Sequence, residues 1–307
     1  MRILVAGASG AIGSELVPAL IAEGHEVRAG GRDARRLAGA LGPGPAQPAV
    51  LDVERAAGLG AALDGVEVAY YLVHSMERSD AQADFAAREL RGAENFAAAC
   101  RTAGVRRTVY LGGLVPAGVP SRHLASRLAV ERALADGAPE ALALRASIVI
   151  AARSRSFRLL VHLVERMPLL ALPSWQRFRT QPIDGRDVTA LLAAAAGARG
   201  LPGTLDIAGP DVLSYGEMLR EIADLMLVAR PAVTLPVSLT QYAARIAAAI
   251  AGETPELVLP LMEGLEGDLL PRDDHAAELL GVRLHSFSAA VEHALRELEA
   301  SEPVAAR

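Results

Sequence analysis

Lysine is absent from all 307 residues of this sequence, so each of its 31 basic side chains is an arginine. The absence is interpreted as a codon bias towards arginine and alanine. Arginine has too high a pKa to exchange protons near neutrality. The single cysteine, Cys100, excludes an intrachain disulfide and favours a reducing compartment. It is expected to be a buried helix residue. A net charge of −5 gives no basic surface for nucleic acid, so a nucleic-acid partner is not expected.

Long apolar runs and clustered metal ligands are also lacking. The stretch 232–252 is interrupted by Pro236, Gln241 and Arg245 and is too polar to cross a bilayer. No leader is seen before the first predicted strand, so a cytoplasmic protein with no membrane partner is expected. The seven histidines are scattered, which argues against a metal site. Residues 7–11, GASGA, are not a Gly-x-Ser-x-Gly nucleophile elbow in register.

The most informative positive feature is a glycine pattern at the N-terminus, MRILVAGASGAIG. A short apolar strand runs into Gly7, Gly10 and Gly13, and apolar residues then recur at helical spacing, which is the context that a dinucleotide fingerprint requires. Gly7 permits a tight turn, Gly10 lets the backbone approach a pyrophosphate, and Gly13 lets the helix pack closely. The other loop residues expected to contact the cofactor are Ser9, Ala11 and Ile12.

Strand and helix patterns alternate along the chain, as in a doubly wound parallel sheet. Strands are predicted at 3–6, 25–30, 49–51, 66–73, 107–111, 141–150 and 204–207, and helices at 13–23, 81–103, 121–135, 214–227, 239–251 and 286–298. The expected fold class is α/β, a Rossmann fold with a smaller, mostly helical C-terminal substrate lobe. The expected domains are an NAD(P)-binding domain at 1–150 and a lobe at 151–307 packed on the same core.

The end of the second strand predicts which dinucleotide binds. NAD enzymes place a carboxylate there for the ribose hydroxyls, whereas NADP enzymes leave the place small and supply arginine for the 2′-phosphate. Here Gly30 and Gly31 fill that place, and Arg32 and Arg36 follow. NADP(H) is therefore expected, with NAD less favoured. Two alternatives stay open: a solvated arginine loop with Asp33 paired to Arg36, or Asp33 as a ribose ligand.

Residues after the third and fourth strands complete the predicted cofactor site. Asp52 and Val53 are expected to bond the adenine through the carboxylate and the following amide, although Asp52 can equally cap a helix. Val73, His74 and Ser75 follow the fourth strand, at the edge where ligands of open α/β sheets bind. They are expected to lie near the nicotinamide.

Several further motifs strengthen this interpretation. They are Tyr70-Tyr71-Leu72-Val73-His74-Ser75-Met76, Tyr110-Leu111-Gly112-Gly113-Leu114, Ser121-Arg122-His123-Leu124-Ala125-Ser126-Arg127, Leu144-Arg145-Ala146-Ser147-Ile148-Val149, Gln181-Pro182-Ile183 and Asp206-Ile207-Ala208-Gly209-Pro210-Asp211. With these motifs and the GxxGxxG spacing of the glycine loop, the sequence resembles atypical short-chain dehydrogenase/reductase proteins of the NmrA-like and YbjT-like group. The resemblance extends over nearly its whole length. The resemblance implies an NAD(P)-binding Rossmann core. It implies no particular reaction, because such proteins include reductases, non-catalytic redox sensors and a structural subunit of respiratory complex I.

The resemblance also locates the position where most short-chain reductases carry Tyr-x-x-x-Lys. Here His123 and Arg127 stand at that spacing, on one helical face. Arg127 is expected to replace the lysine as a ribose ligand, and His123, with histidine's ordinary pKa near 6.5, to donate a proton. Gly112-Gly113 replaces the serine that usually polarises the carbonyl. An exposed helix face that carries both residues without catalysis is the open alternative.

Two residues of the C-terminal half carry separate expectations. Trp175, near Arg177 and Arg179, is interpreted as an anchoring aromatic, a pocket residue or part of a dimer surface. Asp187 is expected to cap the helix that follows it.

These features predict an NADP(H)-dependent oxidoreductase that transfers hydride to or from a small organic substrate, with a possible homodimer. The alternative is a non-catalytic NADP(H)-binding sensor or assembly partner.

Overall fold

The computed structural model describes residues 1–73, 82–118, 120–167, 169–234, 265 and 267–302. In that part of the chain the strands are β1 (Arg2–Ala6), β2 (Glu26–Gly31), β3 (Gln47–Val50), β4 (Val68–Tyr71), β5 (Arg107–Gly113), β6 (Glu140–Ala146), β7 (Val149–Ile150), β8 (Leu170–Leu172), β9 (Arg179–Thr180), β10 (Ile183–Asp184), β11 (Thr204–Ile207), β12 (Leu213–Ser214) and β13 (Ala232–Thr234). The helices are α1 (Gly13–Ala22), α2 (Ala34–Leu41), α3 (Leu59–Leu63), α4 (Gln82–Ala103), α5 (Arg122–Ala135), α6 (Arg155–Arg166), α7 (Gly185–Ala195), α8 (Tyr215–Leu225), α9 (Ala276–Leu279) and α10 (Phe287–Ser301).

Seven strands form one parallel sheet in the order β11-β6-β5-β4-β1-β2-β3. The chain moves outwards from β1 to β3 and then returns to β4 on the other side of β1. This reversal opens a crevice at the carboxyl ends of β1 and β4, where ligands of doubly wound sheets bind. The expected Rossmann-type α/β fold is confirmed.

The side chains of β1 point alternately to the two faces of the sheet, and the core is divided into two layers. Ile3 and Val5 pack on one face of the sheet against α1 and α7, whereas Leu4 and Ala6 pack on the other face against α4. Successive side chains of a strand point to opposite faces, so a strand covered on both sides reads as a continuous apolar run. Cys100 lies in the second layer, is buried within α4 and makes no disulfide.

A third apolar cluster joins α6, α8 and α10 in the C-terminal half. Its largest buried side chains include Phe157, Trp175 and Tyr215. The same half also contributes β11 to the main sheet, beside β6. No helix of the described ranges is long and apolar enough to cross a membrane, and the predicted helix 239–251 lies outside those ranges.

One local interpretation is wrong, and one expected loop is a helix. The exposed segment after Arg32 begins α2, because the Asp33 carboxylate accepts the amides of Arg35 and Arg36. Asp187 does not cap α7, because Asp184 does so by accepting the Arg186 amide. Asp187 is instead buried.

The partner of Asp187 comes from the far end of the sequence. Its two carboxylate oxygens accept from the His285 backbone amide at 2.8 Å and lie 2.6 Å from His285 Nδ1. This contact holds the segment before α10 against α7.

Candidate functional site

A cavity of about 870 Å³ opens at the carboxyl edge of β1 and β4 and extends beneath the C-terminal lobe. It brings together all the predicted site residues that the structure describes. These are Gly7, Ser9, Gly10, Ala11, Ile12, Gly13, Arg32, Arg36, Asp52, Val53, Val73, His123 and Arg127. His74 and Ser75 lie outside the described residues.

The turn after β1 depends on Gly7. Its φ is +92°, a left-handed conformation that glycine adopts without the steric cost of a side chain. A Cβ at this position would also lie 2.7 Å from the carbonyl carbon of Leu72, which follows β4. The amides of Gly7 and Ala8 both donate to the Gly30 carbonyl at 3.0 Å, so the turn is fixed to the end of β2.

The other two glycines of the loop differ in what surrounds them. A Cβ at Gly13 would overlap the Gly7 carbonyl oxygen and lie 2.8 Å from Ala8 Cα, so α1 packs directly on the turn. A Cβ at Gly10 would meet only the Gly7 oxygen, at 3.2 Å, and Gly10 has no positive φ. Backbone conformation therefore does not require glycine at position 10. The absence of a side chain at Gly10 leaves open space beside the cavity.

At the end of β2, Gly30 and Gly31 stand where NAD enzymes carry the carboxylate that binds the ribose. A Cβ at Gly30 would lie 2.8 Å from Leu51 Cδ2, and one at Gly31 would lie 3.0 Å from Leu37 Cδ2. Arg32 is exposed and lines the cavity. Asp33 lines it too, but one of its oxygens already accepts two amides at the start of α2.

Asp52 organises the turn that follows β3. Its Oδ1 accepts from the amides of Glu54 and Arg55 at 3.0 and 3.4 Å. The carboxylate therefore caps a turn, and the next helix starts only at Leu59. The Val53 amide donates no hydrogen bond within the described part of the chain.

His123 and Arg127 lie one turn apart on α5, and both line the cavity. The Arg127 guanidinium donates to the Leu111 carbonyl at 3.1 Å, which holds α5 to the end of β5. The Tyr110 hydroxyl donates to the Arg127 carbonyl at 3.3 Å. Burial raises the pKa of Tyr110, and the nearby Arg127 charge opposes this rise.

The strand that ends beside α5 carries no hydroxyl where short-chain reductases usually have a serine. Gly112 and Gly113 continue β5 and line the cavity, and a Cβ at Gly113 would lie 3.1 Å from Leu124 Cδ2. Ser147, just after β6, lines the same cavity and lies 3.2 Å from the Thr180 hydroxyl. Ser147 was not among the predicted site residues.

Arg153 is the second site residue that sequence reasoning missed. It follows β7, lines the cavity and donates from Nη1 to Ser14 Oγ at 2.8 Å. Ser14 lies in the first turn of α1 and donates in turn to the Ala11 carbonyl at 3.2 Å. A guanidinium from the C-terminal half therefore stands beside the glycine loop. The sequence signal that could have identified Arg153 is its position in an arginine-containing segment just after a strand, at the edge of the sheet where ligands bind.

Trp175 and Tyr215 form the aromatic part of the cavity wall contributed by the lobe. Their ring centroids are 6.2 Å apart and the ring planes are almost perpendicular. Trp175 is 7% exposed and Tyr215 is 1% exposed. Trp175 lines the cavity and also anchors the apolar cluster of the C-terminal half, which fits two of its three interpretations.

Residues 7–147 match the model of a family described as NAD(P)H-binding. The chain matches no curated protein. Among solved structures it is similar to gox2253, with 22% identity and a TM-score of 0.74 over 98% of each chain. It is also similar to UDP-glucuronic acid 4-epimerase from Bacillus cereus, solved with UDP-glucuronic acid and NAD. That likeness has 16% identity and a TM-score of 0.73 over 98% of this chain and 100% of the epimerase.

A further similar structure is TunA, an NAD-dependent NDP-hexosamine 5,6-dehydratase involved in tunicamycin biosynthesis. The identity is 20% and the TM-score 0.71, and the likeness covers 99% of both chains. Because these similarities cover 98–99% of this chain at low identity, they show a shared fold.

Proposed function

We propose that this chain, whose residues 7–147 match the NAD(P)H-binding family model, is an atypical short-chain oxidoreductase that transfers hydride between NADP(H) and a small organic substrate. The observation that carries the proposal is the single cavity. It joins the glycine loop, the arginine at the end of β2, and the face of α5 that presents His123 and Arg127.

The glycine loop fits a dinucleotide pyrophosphate. Gly10 leaves space where a side chain would otherwise stand, and the amides of Ala11 and Ile12 donate no backbone hydrogen bond within the described residues. These amides precede α1, and the N-terminus of a helix carries a partial positive charge that favours an anion. Arg153 adds a full positive charge at the same place, and we assign it to the pyrophosphate.

The preference for NADP(H) rests on the end of β2. Gly30 and Gly31 stand where NAD enzymes carry a ribose-binding carboxylate, and the Asp33 carboxylate caps α2. Arg32, with Arg36 one helical turn further on, supplies guanidinium groups that suit a 2′-phosphate. Asp52 and Val53 are assigned to the adenine, where the Val53 amide is the available donor.

A bound NADPH supplies the hydride that reduces a substrate carbonyl carbon. In this proposal the His123 imidazolium then gives a proton to the carbonyl oxygen as the electron pair of the broken π bond moves to that oxygen. Arg127 holds the nicotinamide ribose through guanidinium donors other than the one bound to Leu111. Its charge favours the negative charge that develops on the oxygen.

A turnover assay separates an oxidoreductase from a sensor. The purified protein with saturating NADPH is given a panel of aldehydes and ketones, and the NADPH absorbance is followed. Substrate-dependent oxidation that is lost in His123→Ala supports the proposal. Cofactor binding without turnover on any substrate, together with cofactor-dependent affinity for a protein partner, overturns it in favour of the sensor.

A further inference from the structure

One face of helix α6 lines the cavity along most of the length of the helix. Its first residue, Arg155, is exposed, and the apolar residues of the same face follow one and two turns further on, about 6 to 12 Å along the helix axis. The lining residues recur at the spacing of a single helical face, and they are Arg155, Ser156, Leu159, Leu160 and Leu163. The face is therefore cationic at its start and aliphatic beyond it.

This face extends from the proposed cofactor site into the C-terminal lobe. Arg153, two residues before Arg155, donates to Ser14 in the first turn of α1 and has been assigned to the pyrophosphate. Further along, α6 contributes Phe157 and Val164 to the apolar cluster of the C-terminal half. A ligand that lies along α6 would therefore have one end beside the cofactor and its body under the lobe.

The described carboxylates of the cavity wall lie on the other side of the sheet. They are Asp33, Asp52 and Glu54, which follow β2 and β3. Strands β5, β4 and β1 separate β2 from β6, the strand of the main sheet that precedes α6. Of the cavity-lining residues that the structure describes, none after Glu54 is acidic. The described wall on the α6 side of the cavity therefore favours an anion over a cation.

We propose that the substrate is an organic anion with an apolar body, whose carboxylate binds the Arg155 guanidinium while its body lies along the leucines of α6. The proposal rests on the oxidoreductase function above and names the substrate class of the same cavity. A guanidinium can donate two parallel hydrogen bonds to a carboxylate, and the aliphatic face adds affinity by burying apolar surface. Arg155 acts as a specificity residue, because an uncharged analogue loses the charged hydrogen bonds.

A sugar nucleotide is also an anion, and the structurally similar epimerase was solved with UDP-glucuronic acid. The sugar part of such a molecule presents hydroxyl groups. The side chains of Leu159, Leu160 and Leu163 offer those hydroxyls no hydrogen-bond partner. A carboxylate with an apolar body matches both the cationic and the aliphatic part of the α6 face.

The test is calorimetric titration of the full chain with saturating NADP⁺, so that binding is measured without turnover. Octanoate is the probe, 1-octanol is the matched ligand without the charge, and butanoate keeps the charge on a shorter body. We expect octanoate to bind about ten-fold more tightly than 1-octanol, because of the charged hydrogen bonds. We expect it to bind at least about ten-fold more tightly than butanoate, which buries four fewer methylene groups.

Variants of α6 separate the two parts of the face. Arg155→Gln removes the charge and is expected to weaken octanoate binding about ten-fold, with unchanged affinity for 1-octanol and NADP⁺, whereas Arg155→Lys should lose less. Leu160→Asn should weaken octanoate and 1-octanol alike. Arg166→Gln is the matched control, because Arg166 is exposed at the other end of α6 and does not line the cavity.

Far-ultraviolet circular dichroism controls for folding in each variant. Equal octanoate affinity in Arg155→Gln and the wild type would overturn the proposal, as would a wild type that does not bind octanoate or that binds UDP-glucuronic acid more tightly. Weaker NADP⁺ binding in Arg155→Gln with unchanged octanoate affinity would assign Arg155 to the cofactor instead. If NADP⁺ does not bind the wild type, the oxidoreductase function fails, and the octanoate titration repeated without cofactor still tests the α6 face.

Discussion

Arg153 Nη1 donates to Ser14 Oγ at 2.8 Å across 139 residues of sequence. The bond links the segment after β7 to the first turn of α1, at the place assigned to the pyrophosphate. A cofactor bound there would contact both halves of the chain. The Ser14 hydroxyl sets the position of the guanidinium, so the two residues are expected to act together.

Arg153→Ala is expected to weaken NADP⁺ binding about ten-fold or more, because a hydrogen bond to a charged group contributes about 1.5 to 3 kcal/mol. Ser14→Ala is expected to have a smaller effect, and little additional effect in the Arg153→Ala background. Calorimetric titration measures the double-mutant cycle, with the exposed Arg283→Ala as the charge-matched control. Additive effects of the two substitutions would contradict a shared role.

Gly10→Val is expected to abolish dinucleotide binding while the fold survives. The new side chain would enter the space beside the cavity and occupy the volume assigned to the pyrophosphate, and it meets only the Gly7 oxygen within the protein. Gly197→Val is the control, because a Cβ at Gly197 has open space around it. A folded Gly10→Val protein that retains cofactor affinity would show that the nucleotide binds elsewhere.

His123→Ala is expected to lower turnover on a competent carbonyl substrate roughly 10²- to 10⁴-fold without loss of cofactor binding, the usual contribution of general acid catalysis. Arg127→Ala should instead weaken cofactor binding. Steady-state kinetics compare the turnover of these variants with that of the wild type, and His275→Ala is the control. A wild-type rate in His123→Ala would rule out His123 as the proton donor.

Asp187→Ala is expected to lower the free energy of unfolding by about 3 kcal/mol, because the buried carboxylate is a charged acceptor for both groups of His285. Urea unfolding of this variant is compared with that of Asp273→Ala, an exposed carboxylate on the surface. Equal midpoints for the two variants would mean that the His285 contact adds nothing to stability.

Local patterns predicted the first half of the fold well. The apolar run before Gly7 and the helical spacing after Gly13 identify β1 and α1, and the observed α1 ends one residue before the predicted end. The expected Rossmann-type fold is confirmed, and residues 7–147 match the NAD(P)H-binding family model that the predicted core implies. Such elements are predictable because their signals lie within a few neighbouring residues.

What the sequence did not predict depends on distant contacts. Asp187 is of a residue type that often caps helices, but its observed partner, His285, lies 98 residues away in the sequence. Arg153 could not be linked to Ser14 without the packing of the lobe on α1. The start of α2 was not predicted, although its Asp33 cap is a local signal.

The most direct test of the account is calorimetric titration of the wild-type chain with NADP⁺ and NAD⁺, repeated with Arg32→Ala and Arg35→Ala. Arg35 is exposed on the same helix start but does not line the cavity, so it controls for net charge. We predict that the wild type binds NADP⁺ about ten-fold more tightly or better, from a charged hydrogen bond worth about 1.5 to 3 kcal/mol. Arg32→Ala should remove this preference and leave NAD⁺ affinity unchanged, while Arg35→Ala keeps it. Equal affinities of the wild type for the two cofactors would contradict the account.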